Sequence, residues 1–187
     1  TFTISQRGDH WVTNALAVLA AVEALGEDVA VAALALADMA GIKGRGQRHL
    51  IPMEDGDVLL IDESYNANPA SMAATLKSLG AERDIGRRIA VLGPMRELGE
   101  HSDSLHAALA PAVIEAHVDR LILIGEEMRP LAEQVVGKVA LDLTATVDEA
   151  IEDLMQMLRP GDAVLVKASN SVGLARLVEH VAKAPAC

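Results

Sequence analysis

The sequence predicts an α/β fold in which a mostly parallel, doubly wound sheet follows a short helical region. Three observations carry this. Short runs of continuous aliphatics recur, as in VLLID at 58–62, RRIAVLG at 87–93, RLILIG at 120–125 and DAVLVKAS at 162–169. Strands buried on both faces read this way. Helix-length segments separate the runs, and strand–helix alternation with right-handed crossovers gives a parallel sheet covered on both sides. Each run also hands over to polar residues, the richest cluster being DESYNANP at 62–69.

The elements follow in order. WVTNALAVLAAVEAL (11–25) is apolar nearly all round, which predicts a buried helix stopped by Gly26. VAVAALALADMAG (29–41) predicts a second Ala-rich helix ending at Gly41. IKGRGQRH (42–49) has no periodicity and reads as a loop, and it is the predicted boundary between a tail at 1–46 and a domain at 47–187. After the strand at 58–62, Pro69 sits at a first helical position and PASMAATLKSLG is a helix closed by Gly80. Strand 87–93 leads to a helix at 102–116 kinked by Pro111, and strand 120–125 to a helix over 128–136. A weaker strand at 138–143, a helix at 147–159, the strand at 162–169 and a last helix at 171–183 complete a Rossmann-like domain.

At 187 residues the chain holds one domain with a sizeable core, or one domain and part of another. Its 51% hydrophobic content excludes disorder, and no apolar stretch is long enough to span a bilayer. A net charge of −11 repels phosphate backbones, which argues against general nucleic-acid binding but not against a nucleotide held by a local site. The single cysteine, Cys187, makes no internal disulfide and suits a reducing cytoplasm. TFTISQRGDHW lacks the layout of a signal peptide and reads as the end of a strand continued from upstream.

Ligands of such sheets bind outside the carboxyl ends of the strands. Asp62 ends its strand, and its carboxylate can accept two ribose hydroxyl hydrogens. Tyr65 offers a flat face to a base, and Asn66 and Asn68 offer donors and acceptors. The competing reading makes Asn68 the cap of the helix starting at Pro69, with Asp62 and Ser64 in turn bonds. Asn68 is read as that cap. Asp62 with Tyr65 is read as functional, because capping needs one polar residue and this stretch supplies several. Lys167 is embedded in a strand and calls for a partner or an anion. Ser169 to Ser171 fit helix capping equally well. His106 reads as a satisfied structural histidine, and Glu97 as either a cap or a substrate contact. His10 and Asn14 share a helix face, and Asn14 needs a hydrogen-bond partner there. Arg45 lies between Gly44 and Gly46, which leave room for a phosphate, although Arg45 and Arg48 also fit a solvated basic loop. There is no P-loop, dinucleotide fingerprint or paired-Cys metal motif.

Taken in order, GDHWVTNALAVLAAV, GRGQR, IDESYNANPASM, IAVLGPMRELG and VLVKAS resemble the Mur ligases. The likeness covers essentially the whole chain. DESYNANPASM is its most specific piece and resembles the version in the ligases that add D-alanyl-D-alanine. The resemblance implies that 1–46 is the tail of a central ATPase domain and 47–187 the family's C-terminal domain. It implies part of an ATP-dependent ligase that adds D-alanyl-D-alanine to UDP-N-acetylmuramoyl-tripeptide in peptidoglycan synthesis, by way of an acyl phosphate. ATP and Mg²⁺ are the implied cofactors, the metal ligands lying mostly upstream. By the same resemblance Asn14 sits near the adenine, Arg45 reaches the phosphates, Asp62 holds the ribose, and Tyr65 with Asn66 flank the nucleotide. Lys167 and Ser169 lie near the incoming dipeptide. No catalytic residue or metal ligand is implied in this stretch, which is therefore expected to be inactive alone, and monomeric and cytoplasmic as part of the full-length ligase, without nucleic-acid or membrane partners. The chain departs from the family pattern at Trp11, where Asn is usual. It departs again at Pro94, which removes a carboxylate and a backbone donor, and at Ala168 and Asn170 within the usual Lys-Gly-Ser-Arg. The alternatives are a non-catalytic Rossmann-like binding module, or another ligase of the superfamily such as a folylpolyglutamate synthase.

Overall fold

The computed structural model describes residues 1–5, 9–39 and 43–183. The chain forms two units, Thr1–Ile42 and Lys43–Cys187. In the first, α1 (Asp9–Ala24) packs on α2 (Val29–Ala37). Gly26, at φ 78°, turns the chain out of α1 as expected, a conformation that costs a residue with a Cβ more. Asp28 caps α2 by accepting from the amides of Ala30 and Val31. The expectation that the helix at 11–25 is buried is corrected here. Val12, Leu16, Val18 and Leu25 are exposed, and of the described side chains of α1 only Ala15 and Leu19 are buried. A helix apolar all round needs cover on every side, and α2 covers one. Gly41 and Cys187 lie outside the described residues, as does the side chain of His10.

The second unit is a six-stranded sheet in the order β1-β2-β6-β3-β4-β5. The strands are β1 (Gln47–Met53), β2 (Gly56–Glu63), β3 (Arg88–Leu92), β4 (Arg120–Ile124), β5 (Ala140–Thr144) and β6 (Ala163–Lys167). Only β1 runs antiparallel to its neighbour. Alternation along each strand feeds two cores. Leu92, Leu121 and Leu123 pack with α3 (Pro69–Gly80), α4 (Ser102–Ala107), α5 (Ala110–Glu115) and α6 (Arg129–Val135) on one face. Ile89, Val91, Ile122 and Val164 pack with α7 (Val147–Met157) and α8 (Ala175–Ala182) on the other. This is the doubly wound α/β fold that the sequence predicts. Leu121 is fully buried in the first core. Leu121→Ala is expected to cost about 2–5 kcal/mol in urea denaturation, through lost transfer energy and a residual cavity.

Several elements differ from the sequence reading. Residues 47–49 are not loop but the start of β1, which pairs along β2 from Gln47↔Asp62 to Met53↔Gly56. The strand is hard to read because Leu50 is 69% exposed and Pro52 interrupts it. Both are tolerated because β1 is an edge strand. The stretch read as one kinked helix is two, and Pro111 sits in the first turn of α5, where its missing N–H is harmless. Gly80 ends α3, but its essential property is size: a Cβ there would lie 2.8 Å from the Ala116 Cα. Asn68 caps α3 as expected, its Oδ1 accepting from Ser71 N–H at 2.8 Å while Ser71 Oγ accepts from Asn68 N–H at 3.1 Å.

The topology singles out one end of the sheet. The chain leaves β2 and β3 over one face and β6 over the other, and β6 lies between β2 and β3. Its carboxyl end is therefore a switch point, where crevices open in folds of this kind.

Candidate functional site

The segment before β1 is fastened to the end of β2 by a set of short bonds. Asp62, 1% exposed, accepts Gly44 N–H on one carboxylate oxygen at 3.1 Å and Ser64 N–H on the other at 3.0 Å. Tyr65 N–H donates to Gly44 O at 3.1 Å, and Gly46 N–H to Asp62 O at 2.9 Å. Glycine is required at position 44, where φ is 75° and a Cβ would meet the Tyr65 Cβ at 2.8 Å. The result is a platform in which the Arg45 guanidinium lies 4.4 Å above the centroid of the exposed Tyr65 ring. Asn66 is exposed, and its Oδ1 accepts from Ala67 N–H.

Lys167 ends β6 beside this platform, in register with Glu63 of β2. It is 2% exposed, and its Nζ donates to Asn66 O at 2.8 Å and lies 3.5 Å from Glu63 Oε2. Burial holds its ammonium pKa below the usual lysine value, partly offset by Glu63. Ser169 is buried and makes no capping bond. Its Oγ accepts from Arg96 N–H at 2.9 Å, and its N–H donates to Pro94 O at 3.1 Å. Ala168 fits because its neighbour is glycine: a Cβ on Gly93 would meet the Ala168 Cβ at 2.8 Å.

The loop after β3 is held from a second side by His106, which is fully buried. Its Nε2 accepts from Met95 N–H at 2.9 Å, so the ring is neutral and Nδ1 donates to Ser102 O at 2.8 Å. This is the satisfied structural histidine that the sequence suggests. Arg96 then pairs with Glu127 from the loop after β4. The Glu127 pKa is lowered first by its own backbone N–H and next by Arg96. Glu97 adopts φ 65° and is exposed.

Of the residues singled out from sequence, Arg45, Asp62, Tyr65, Asn66 and Lys167 thus form one connected cluster. Ser169 sits beyond it on the β3 side, and Asn14 is an exposed residue of the first unit. Sequence reasoning gave Glu63 no role and read Gly44 only as room for a phosphate beside Arg45, not as the residue that fastens this segment to Asp62 and Tyr65. It also missed the Arg96–Glu127 pair, which joins two loops that no short motif connects. Chemically, the cluster offers a cation stacked on an exposed aromatic ring, with the amides of the flanking glycines already held by Asp62. That suits a planar, anionic ligand.

Comparison with known proteins identifies the family. The sequence profile of the Mur ligase, glutamate ligase domain, matches residues 44–170. The UDP-N-acetylmuramoyl-tripeptide–D-alanyl-D-alanine ligase of Mycobacterium leprae is 36% identical over 92% of this chain, which spans 36% of that protein. A crystal structure of MurF from Acinetobacter baumannii superposes with a TM-score of 0.82 at 27% identity, covering 98% of this chain and 40% of that one. MurF from Thermotoga maritima in complex with ADP gives a TM-score of 0.74 at 26% identity, with 95% and 39% covered. The chain therefore spans well under half the length of the proteins it matches. With a profile match over most of its length and a sheet that superposes on solved members, the chain belongs to the Mur ligase family, of which residues 44–170 carry the glutamate ligase domain.

Proposed function

We propose that this chain is the C-terminal, nucleotide-facing part of an ATP-dependent ligase that adds D-alanyl-D-alanine to UDP-N-acetylmuramoyl-tripeptide in peptidoglycan synthesis. The observation that carries the reading is the Arg45–Tyr65 stack at the switch point, built from the DESYNANP segment. ATP, when bound, supplies the phosphoryl group that activates the peptide carboxylate. Stacking uses the face of the Arg45 guanidinium and leaves its in-plane N–H donors for phosphate oxygens. Tyr65 and Asn66 are assigned to the base and sugar and Ser169 to the dipeptide side, while the family resemblance alone assigns Asn14 to the adenine and Lys167 to the dipeptide. Asp62 has two readings. Its second lone pairs can take ribose hydroxyls, but at 1% exposure this requires the segment around Gly44 to shift. Its two amide bonds favour a role in fastening the platform. For Mg²⁺ the fit is poor: among the described residues no group of three or more His, Cys, Asp or Glu could hold a metal ion. Its ligands are assigned to the rest of the ligase, as is the P-loop. The domain division at 1–46 and 47–187 is part of the proposal, as is a cytoplasmic, monomeric enzyme. Among the described residues no helix is long and apolar enough to cross a membrane.

The test is phosphate release. The longer protein containing this chain is expected to release phosphate only with ATP, UDP-N-acetylmuramoyl-tripeptide and D-alanyl-D-alanine together, and the 187-residue chain alone to release none. Turnover by the chain alone contradicts the fragment reading. Preference of the longer protein for a single amino acid points to another ligase of the family.

A further inference from the structure

We infer that Lys167 is a positioning residue whose ammonium anchors the Tyr65–Asn66 turn to β6 and so sets the Tyr65 ring beneath Arg45. The inference rests on the nucleotide reading of this face and moves Lys167 from the dipeptide side to the nucleotide side. A ligand for an incoming dipeptide needs a reachable ammonium, and this one is 2% exposed. A buried charge persists where it is paired and hydrogen-bonded, and both conditions are met inside the protein. Glu63 supplies the countercharge at 3.5 Å, from the neighbouring strand at the same level. Asn66 O supplies the acceptor at 2.8 Å. A backbone acceptor matters, because it ties the lysine to the path of the turn and not to a side chain that could rotate away. From Asn66 the chain leads directly to Tyr65, whose N–H holds Gly44 O and whose ring lies under Arg45. One lysine thus links the end of β6 to both halves of the platform.

The chain contains one tyrosine, so the ring signals of Tyr65 can be read without assignment of others by NMR of the 187-residue chain. Lys167→Met is expected to shift those signals. It should also accelerate amide exchange at Tyr65 and Gly46 by about tenfold or more, the scale of one lost charged hydrogen bond. Amides of β3 and β4 should keep their protection, and Lys167→Arg, which retains a donor, should recover part of the wild-type pattern. If Lys167→Met does not fold, combining it with Glu63→Gln removes the carboxylate that faced the ammonium and permits the same reading. In the longer ligase, Lys167→Met should raise the ATP KM about tenfold and leave the D-alanyl-D-alanine KM unchanged. Unchanged Tyr65 ring signals and exchange, or a rise confined to the D-alanyl-D-alanine KM, overturns the inference. If the wild-type ligase does not use ATP, the functional reading fails, while the NMR result still decides whether Lys167 is the anchor.

Discussion

Gly44→Ala is expected to destabilise the second unit by about 2–4 kcal/mol, combining the left-handed backbone penalty with overpacking. The new methyl would lie 2.8 Å from Tyr65 Cβ and 3.0 Å from Tyr65 N, so the backbone carrying the platform must move. The corresponding fall in Tm is roughly 10 °C for a chain of this size. Gly99→Ala separates the two causes. Gly99 has φ 55° and nothing within 4 Å of its Cβ position, so only the backbone penalty applies there, about 1–2 kcal/mol. Thermal unfolding followed by circular dichroism measures both. Equal losses would show that the close approach of Gly44 to Tyr65 contributes nothing.

In the longer ligase, Asp62→Asn should raise the ATP KM about ten- to hundredfold while the constants for the two peptide substrates stay unchanged. The carboxylate accepts Gly44 N–H on one oxygen and Ser64 N–H on the other. An amide keeps one acceptor and turns an NH₂ group against the second amide. Losing one charge-assisted bond costs about 1.5–3 kcal/mol, which is the stated range when ATP binds only the fastened platform and KM tracks binding. The melting temperature should fall as well, because the fastened segment loosens. A lowered melting temperature with an unchanged ATP constant rejects the nucleotide role and leaves Asp62 as a purely structural residue. The three Michaelis constants measured beside a melting curve decide between these outcomes.

Most of the sheet was legible because buried parallel strands are written as continuous aliphatics, and β6, whose residues are all buried, is the clearest case. β1 escaped for the opposite reason. An edge strand is half-solvated, tolerates Pro52 and exposes Leu50, so its alternation is broken. Helix α1 reads as buried because it is apolar, but composition says what a helix needs and not whether its neighbours supply it. At the site, the sequence demanded a partner for Lys167, and register supplied it by placing Glu63 opposite. The Arg45–Tyr65 stack was not legible, since it depends on the Gly44 backbone folding back along β2. His106 reads as structural from the sequence, but its hold on Met95 N–H emerges only once α4 packs beneath the loop after β3.

The nucleotide reading of this face is tested most directly by photolabelling the longer ligase with 8-azido-ATP and mapping the modified peptides. Label is expected on the segments around Arg45 and Tyr65, and it should be lost when excess ATP competes. ATP-protected label found only outside Lys43–Cys187 would contradict the assignment of this sheet end to the nucleotide.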